Sequence, residues 1–307
     1  MGGFTIFKKL DINAKDDLLP FLKKSKYNLC EYNFNTLLLW SPFENYHYAI
    51  EDDIAYVISK GDNPHALMPI TDESNWKQGI KFLESLYCKQ KNKCKIAYAS
   101  EKFFSYVESN FEDKYESKTN RDFYDYLYKT SELIKLRGKD FANKRNHINK
   151  FGKTYKKRYN FRPLNKDDFK YCKEMINEWR IEKIEDSLDT HKYLRKNYLG
   201  TGINSLLDNY DQLDYKISGM FIDNVLEGFT IGSLLQDDIA QIHIENANPN
   251  IRGIYQVINK LFLENEFSTI EYVNREDDAG EKGLRTAKSS YNPVKLIKKY
   301  DIFLKED

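Results

Sequence analysis

The chain has 307 residues, a length that suits two domains of about 150 residues each. Hydrophobic residues make up 41% and charged residues 31% of the chain, which excludes an intrinsically disordered protein. The 48 basic and 47 acidic side chains leave a formal net charge of +1, so no overall charge draws the protein to nucleic acid or to an anionic membrane.

The sequence also lacks the features of an integral membrane protein and of a protein with a cysteine-bound metal site. No apolar run approaches the roughly 20 residues of a membrane-spanning helix, so we expect no integral membrane segment and a cytoplasmic location. The cysteines form no CxxC pair and have no histidine at metal-ligand spacing, which predicts reduced thiols and no metal site. These cysteines are Cys30, Cys88, Cys94 and Cys172.

In the first half of the chain, the spacing of apolar residues and the turn residues predict a sheet flanked by helices. Strands are predicted at residues 4–7, 35–41, 46–50, 54–59, 66–69, 95–99 and 132–136. Helices are predicted at residues 11–24, 75–87, 101–110 and 139–150. The segment at 35–41 is assigned as a strand because Leu37-Leu38-Leu39-Trp40 is an apolar run of buried-strand length.

The second half of the chain repeats this order of elements. Strands are predicted at residues 159–162, 216–222, 225–234, 239–245, 269–274 and 300–304. Helices are predicted after the capping residue Asn165 and at residues 250–266 and 280–291, with a helical or irregular stretch at 186–210. The dipeptide Asp223-Asn224 predicts the turn of a β-hairpin between the strands at 216–222 and 225–234.

Both halves therefore predict a fold of mixed α+β and α/β character. Each half would form a mixed, mostly antiparallel sheet with helices on its faces. We place one domain at residues 1–157 and the other at 158–307. No Pro-, Gly- or Ser-rich linker separates them, so close packing of the halves is expected.

A basic segment spans residues 135–158, with only Asp140 opposing its cations. Clustered cations neutralise phosphates, so the segment could bind a phosphate, a lipid headgroup or a tRNA backbone. The alternative is a solvated helix face beside a domain junction. The candidate binding residues of this segment are Lys139, Lys144, Arg145 and His147.

The second chemical segment, residues 242–255, predicts a strand, a loop and the start of a helix. A helix N-terminus offers unpaired N–H groups that suit a pyrophosphate, and Arg252, Gly253 and Ile254 lie at this position. No GxGxxG motif is present. Glu245 alternates with His243, which predicts that both face the same side of the strand. A carboxylate at a strand end is a candidate general base, and a plain surface glutamate is the alternative.

The third chemical segment spans residues 272–293. Four consecutive charged residues, 275–278, follow a predicted strand and suggest a polar network rather than a solvated surface. Its candidate substrate-binding residues are Asn274, Arg275 and Glu276. Arg285 and Lys288 are three residues apart and would share a helix face. Tyr291 is a candidate general acid for a leaving thiolate or alkoxide, with a packed tyrosine as the alternative.

These segments carry a resemblance to a known family. The matching stretches are residues 135–139, 144–151, 243–259, 273–280 and 283–293. They resemble bacterial proteins related to the C-terminal domain of phosphatidylglycerol lysyltransferase, and the resemblance covers nearly the whole chain. It implies a tandem GNAT-like fold, in which the donor is acyl-CoA or an aminoacyl-tRNA. The sequence lacks the multi-helix membrane region of the full lysyltransferases, so a lipid acceptor does not follow.

The leading hypothesis is acyl or aminoacyl transfer to an amine or hydroxyl, with the site in the second half. Glu245 would be the base and Tyr291 the acid. Arg252, Gly253, Ile254, Arg285 and Lys288 would contact the phosphates of the donor. A non-catalytic module that binds an anionic ligand or nucleic acid is the alternative, followed by a purely structural role. The acceptor and the oligomeric state stay open.

Overall fold

A computed structural model describes residues 5–89, 94–111, 113–184 and 190–305. The chain divides into two compact units. Unit 1 comprises Met1–Phe123, Leu194–Leu206 and Lys298–Asp307, and unit 2 comprises Tyr124–Tyr193 and Leu207–Ile297. No helix among the described residues is long and apolar enough to cross a membrane.

The elements alternate between strands and helices along the whole chain. In order they are β1 (Lys8–Lys9), α1 (Lys15–Ser25), α2 (Phe34–Glu44), β2 (Tyr46–Glu51), β3 (Ile54–Ser59), β4 (His65–Leu67), α3 (Trp76–Lys89), β5 (Lys95–Ala99), α4 (Glu101–Asn110), β6 (Tyr115–Thr119), β7 (Asp125–Lys129), α5 (Thr130–Lys135) and α6 (Ala142–Thr154). They continue with β8 (Tyr159–Pro163), α7 (Phe169–Ile184), α8 (Thr190–Asp208), β9 (Lys216–Ile222), β10 (Val225–Gln236), β11 (Ile239–Ala247), α9 (Ile254–Glu266), β12 (Tyr272–Asn274), α10 (Lys282–Ser289), β13 (Lys295–Ile297) and β14 (Tyr300–Leu304).

Each unit contains one seven-stranded sheet, which confirms the predicted mixed, mostly antiparallel architecture. The strand order is β1-β2-β3-β4-β5-β14-β6 in unit 1 and β8-β9-β10-β11-β12-β7-β13 in unit 2. Each sheet has a parallel pair at its centre, β4 with β5 in unit 1 and β11 with β12 in unit 2. The two sheets therefore share one topology, position by position.

Each sheet contains one strand that is distant in sequence from its neighbouring strands, and these two strands determine where the units divide. The last strand, β14, inserts between β5 and β6 of unit 1, and β7 inserts between β12 and β13 of unit 2. Residues 124–157, which we assigned to the first domain, consequently belong to unit 2, and the chain end belongs to unit 1. The division expected at 157/158 differs because each strand pairs with a sheet distant in sequence, and local periodicity contains no such information.

Two predicted strands are helices in the structure. Residues 35–41 lie in α2, whose N-terminus is capped by the Asn33 side chain accepting from the Asn35 N–H. This helix is buried on nearly every side, so it shows no amphipathic period and its apolar run imitates a buried strand. Residues 132–136 form most of α5 and its C-cap, where Leu136 takes a left-handed conformation.

The predicted hairpin is confirmed as β9 and β10. Asp223 and Asn224 form its two-residue turn with φ of 49° and 70°, the positive values that a tight hairpin turn requires. β10 continues into an antiparallel pairing with β11, and α9 packs on these strands through Phe262 and Leu263. This core fixes β11 and α9 relative to each other, and the candidate site is built at their adjoining ends.

Candidate functional site

The candidate site lies where β11 and β12 separate in unit 2. The two strands pair only over Ile239–Gln241 and Tyr272–Asn274, although β11 continues to Ala247. A register irregularity opposite Ile231 and Gly232 adds an extra residue to β11 near His243. Beyond Gln241 the separated strands leave an opening, and polar side chains from both strand ends fill it.

An ion pair between Arg275 and Glu245 crosses this opening. The Nη2 of Arg275 lies 3.1 and 3.2 Å from the two carboxylate oxygens of Glu245, and Asn259 donates to the same carboxylate at 3.3 Å. The two charged side chains are only 10% and 14% exposed. Burial by itself lowers the pKa of Arg275, but Glu245 and the neighbouring tyrosines outweigh it and raise that pKa. The guanidinium is therefore permanently charged in a buried position.

Two aromatic rings and a second cation surround Arg275. Its guanidinium lies 5.1 Å from the ring centre of Tyr291 and 5.9 Å from that of Tyr128. The Nζ of Lys144 lies 4.1 Å from the Tyr291 ring centre and donates to Ser290 Oγ at 2.6 Å. Burial raises the pKa of Tyr291, so its hydroxyl stays protonated at neutral pH. Burial and then Arg275 lower the pKa of Lys144, while Glu245 opposes this.

A second network lies beside the ion pair and involves His243 and Glu276. Glu276 accepts from Gln241 Nε2 at 2.7 Å, and its carboxylate lies 3.3 Å from His243 Nδ1. The Nε2 of His243 is 2.8 Å from Ser233 Oγ. His243 and Glu245 thus contact different groups, and the irregularity in β11 near His243 interrupts the strict alternation from which we predicted a shared face.

Lys288 and Arg285 hold the loop that carries Arg275 and Glu276. The buried Lys288 ammonium donates to the carbonyl oxygen of Arg275 at 2.5 Å and also to that of Asp277. Arg285 donates to both carboxylate oxygens of Asp278 at 2.7 and 2.9 Å. Both cations therefore bind groups of the protein itself; Lys288 is buried, whereas the Arg285 side chain is 38% exposed.

The exchanged strand β7 forms the other support of this loop. The Tyr126 N–H donates to the Glu276 carbonyl, and the Tyr126 carbonyl accepts from the Arg275 N–H. The Tyr126 hydroxyl donates to Asp278 at 2.6 Å, and the buried Asn274 amide donates to Asp125 at 2.9 Å. The Asn274 side-chain oxygen also accepts from the Glu276 N–H at 2.7 Å, which stabilises the turn where Glu276 takes a φ of 58°.

The N-terminus of α9 lies against α6. Gly253, with a φ of 90°, is the N-cap, and an added Cβ there would lie 2.6 Å from the His147 carbonyl oxygen. Ile254 begins the helix and is fully buried. Burial lowers the pKa of His147, and Arg252, Lys144 and Lys150 lower it further, so these cations surround the histidine. The small residue at 253 is thus required by the approach of α6.

The two remaining basic candidates, Arg145 and Lys139, differ in what their side chains contact. Arg145 donates to the carbonyl oxygens of Leu136 at 2.5 Å and Gly138 at 2.7 Å, so it ties the end of α5 to α6. Lys139 is exposed ahead of α6. The structure therefore gathers Glu245, Arg275, Tyr291 and Lys144 in one cluster and leaves Lys139 on the surface.

Sequence reasoning missed Asn259 and Tyr128 in this cluster. Asn259 is a buried polar residue within the apolar face of α9, a position that signals a polar partner and could have been noticed. Tyr128 lies on β7, which we did not predict, although Tyr126 and Tyr128 alternate as strand residues do.

The corresponding opening in unit 1 is bridged by a tyrosine hydroxyl, and the buried ion pair of Lys299 and Glu31 lies beside it. β4 and β5 pair at Ala66–Ile96 and Leu67–Ala97. Directly beyond, the Tyr32 hydroxyl accepts from the Met68 N–H at 3.0 Å and donates to the Tyr98 carbonyl at 3.2 Å. A phenol therefore bridges the two strand ends.

Known proteins resemble this chain both in sequence and in structure. The family model described as "Phosphatidylglycerol lysyltransferase, C-terminal" matches residues 23–303. An uncharacterized protein of Mycoplasmoides gallisepticum is 28% identical over 186 residues, which are 61% of this chain and 56% of that protein. The match thus spans little more than half the length of this relative.

Solved structures resemble the whole chain. A protein of unknown function from Bacteroides thetaiotaomicron has a TM-score of 0.89 at 27% identity, with 98% of this chain and 100% of that one covered. The structure of L-PGS from Bacillus licheniformis has a TM-score of 0.68 at 13% identity, covering 98% and 94%. A tandem GNAT protein from the clavulanic acid pathway has a TM-score of 0.50 at 8% identity, covering 97% of each chain. The predicted tandem GNAT-like fold is confirmed.

Proposed function

This chain belongs to the phosphatidylglycerol lysyltransferase C-terminal family, and we propose that it transfers an acyl or aminoacyl group to an amine or hydroxyl at the opening between β11 and β12. The family and fold are those of GNAT-like acyl- and aminoacyltransferases. The observation that carries the proposal is the buried ion pair of Arg275 and Glu245 beside Tyr291. Buried charges are costly to stability, and a cluster of them at the strand ends suits a reacting substrate.

In the proposed reaction, Glu245 acts as the general base. The acceptor nitrogen or oxygen attacks the carbonyl carbon of the donor, and its proton passes to the Glu245 carboxylate. Arg275 and Asn259 orient that carboxylate through the contacts described above. Contacts from two segments, the loop after β12 and helix α9, fix its position before the substrate arrives.

Tyr291 acts as the general acid on the leaving group. When the tetrahedral intermediate collapses, the bond from carbon to the leaving sulfur or oxygen breaks, and the Tyr291 hydroxyl supplies the proton. Its raised pKa keeps that proton in place until the leaving group forms. The proton held by Glu245 then returns to Tyr291 through solvent, so the enzyme ends the cycle unchanged.

The donor is acyl-CoA or an aminoacyl-tRNA, and both combine an activated carbonyl with phosphates. Lys139 ahead of α6, Lys150 within α6 and Arg252 ahead of α9 are exposed cations and would bind these phosphates. His147, whose pKa is lowered, would contribute as a neutral hydrogen-bonding group. Both donors occur in the cytoplasm, where we place the reaction.

The first test of this proposal is whether a donor stabilises the protein against thermal unfolding. Acetyl-CoA, CoA, lysyl-tRNA and uncharged tRNA are added to the purified protein, and thermal unfolding is measured. A ligand that binds the native state raises the melting temperature by mass action. The donor that stabilises the protein is then used to follow release of free CoA or of uncharged tRNA.

Glu245→Gln separates binding from chemistry. We expect the stabilisation by the donor to persist while turnover falls by roughly 100-fold or more, because general base catalysis is lost. Glu264→Gln is the matched control, since Glu264 lies on α9 and pairs with Lys260 at the surface. Unchanged turnover in Glu245→Gln removes Glu245 from the mechanism. Binding with no turnover in the unaltered protein supports the non-catalytic alternative instead.

A further inference from the structure

Arg275 carries a hydrogen-bonding group that the protein itself does not use. Its Nη2 is engaged by Glu245, whereas its Nη1 is buried and has no hydrogen-bond partner among the residues that the structure describes. The side chain is nine-tenths buried. A buried N–H without a hydrogen-bond partner destabilises the folded state, and more so when it is charged. Such a group is expected to have a partner that binds from outside.

The charges around Tyr291 do not cancel. Lys144 and Arg275 both lie over the Tyr291 ring, and Glu245 is the carboxylate that acts on both. Two positive charges against one negative charge leave the cluster with one uncompensated positive charge. Lys288 lies behind the loop, where Asp277, Glu276 and Asp125 act on it and Glu276 also meets His243. The excess charge therefore belongs to the Arg275 and Lys144 side of the cluster.

One end of this cluster is buried and the other end is close to the surface. Arg275 and Tyr291 are buried at its floor, while the Lys144 ammonium contacts the exposed Ser290 hydroxyl. The Tyr291 ring contacts both cations, with its centre 4.1 Å from Lys144 Nζ and 5.1 Å from the Arg275 guanidinium. Glu245 binds Nη2 of the same guanidinium, so it lies next to the unpaired Nη1.

We infer that this cluster is a subsite for a carboxylate, and that the acceptor is a small α-amino carboxylate, such as a free amino acid. Its carboxylate would bind Arg275 Nη1 and Lys144 Nζ, and its ammonium group would lie toward Glu245. The ammonium loses one proton to solvent to become the neutral amine, and Glu245 takes the second proton when that amine attacks the donor carbonyl. The identity of the acceptor rests on the proposed transfer reaction, whereas the carboxylate subsite rests on the geometry alone.

A carboxylate fits this subsite better than a phosphate does. One carboxylate supplies the single negative charge that the cluster lacks, whereas a phosphate monoester carries about −1.5 to −2 at neutral pH. The guanidinium edge is planar and matches a planar carboxylate. A free amino acid brings one negative and one positive group, which complement Arg275 and Glu245 respectively.

Changes to the ligand test the subsite on the unaltered protein. L-alanine, L-serine, L-lysine and L-aspartate are titrated by calorimetry together with their C-terminal amides, their N-acetyl derivatives and inorganic phosphate. We expect at least one free amino acid to bind, and its amide, which lacks the carboxylate, to bind roughly 10-fold or more weakly. The N-acetyl derivative keeps the carboxylate and should lose less affinity than the amide.

Two substitutions test the named atoms. Arg275→Lys keeps a positive charge but lacks Nη1, and Lys144→Met removes the outer cation; each should weaken amino acid binding by roughly 10-fold. Lys170→Met is the matched control, because Lys170 also lies over a tyrosine ring, that of Tyr171, but at an exposed position. It should leave the binding unchanged. Circular dichroism establishes that each variant is folded.

The outcomes separate the subsite from the reaction. Equal binding of the acid and its amide, no binding of any of the four amino acids, or tighter binding of inorganic phosphate would each overturn the carboxylate subsite. Binding of an amino acid without its acylation in the presence of a donor would sustain the subsite and contradict the transfer reaction. Transfer to amines that lack a carboxylate would sustain the reaction and contradict the inferred acceptor.

Discussion

The openings between the parallel strands of the two units have the same topology but are bridged by different groups. In unit 1, the Tyr32 hydroxyl joins Met68 on one strand end to Tyr98 on the other. In unit 2, the equivalent place contains the ion pair of Arg275 and Glu245. The unit 1 bridge is a neutral hydroxyl, and the buried ion pair of Lys299 and Glu31 lies beside it. The unit 2 bridge is itself charged, and its Arg275 Nη1 is unpaired among the described residues.

This difference favours unit 2 as the location of the proposed site. A hydroxyl that both accepts from one strand and donates to the other closes an opening at little cost. An ion pair in the same position is poor evidence for stability, since apolar groups often stabilise such a place as well or better. The charged bridge of unit 2 and its unpaired Arg275 Nη1 therefore fit the proposed function, whereas the hydroxyl bridge of unit 1 fits structural support.

Loss of the Lys288 ammonium should have the largest effect on the unit 2 opening. Lys288→Met leaves the carbonyl oxygens of Arg275 and Asp277 without this donor, and we expect about 3 kcal/mol lower stability in urea unfolding. Lys282→Met, at the exposed start of α10, is the control and should change little. Equal stability of the two variants would mean that Lys288 does not hold the loop.

Gly253→Ala tests the close packing of α6 against the N-terminus of α9 in unit 2. The new methyl group would lie 2.6 Å from the His147 carbonyl oxygen on a backbone with φ of 90°, and roughly 2–3 kcal/mol of stability should be lost. Gly283→Ala is the matched control, because nothing lies within 4 Å and the residue is helical. That control should stabilise slightly. A neutral effect at 253 would show that α6 moves away without penalty.

Acid should weaken the charged loop of unit 2 through Asp278. Burial alone would raise the pKa of Asp278, but Arg285, Tyr126 and the Gly280 N–H lower it to about 2. Because the folded pKa lies below the unfolded value, the contribution is present above about pH 4 and is lost as the pH falls through 2; its size is about 2 kcal/mol. The stability gap between the unaltered protein and Asp278→Asn should shrink over this range, and Asp237→Asn should show no gap. A stability difference between the two proteins that stays constant over this range would contradict the lowered pKa of Asp278.

Tyr32→Phe should have the smallest effect and gives the sharpest test of the comparison. It removes the bridging hydroxyl of unit 1, and we expect about 1 kcal/mol lower stability with no change in transfer activity. Tyr171→Phe, at an exposed position, is the control for stability. A loss of transfer activity in the folded Tyr32→Phe variant would show that unit 1 takes part in the reaction.

Several residues of the candidate site could be named from the sequence, although their arrangement could not. Glu245, Arg275, Tyr291 and Lys144 were singled out because charged and aromatic side chains follow strand ends or line a basic helix, and the structure gathers them. Lys288 and Arg285 were expected to meet a ligand and instead bind the chain itself. A sequence shows that a cation is present, but its partner depends on contacts with residues far along the chain.

By itself the sequence determined the family resemblance, the β9–β10 hairpin and the strand, loop and helix at 239–266, because these depend on local periodicity, turn chemistry and continuous motifs. Only the tertiary structure decided that α2 is a buried helix, that β7 and β14 exchange places, and that Arg275 reaches Glu245. The physical reason is that burial on all sides erases the period that identifies a helix, and that strand pairing and ion pairing join residues with no local relation.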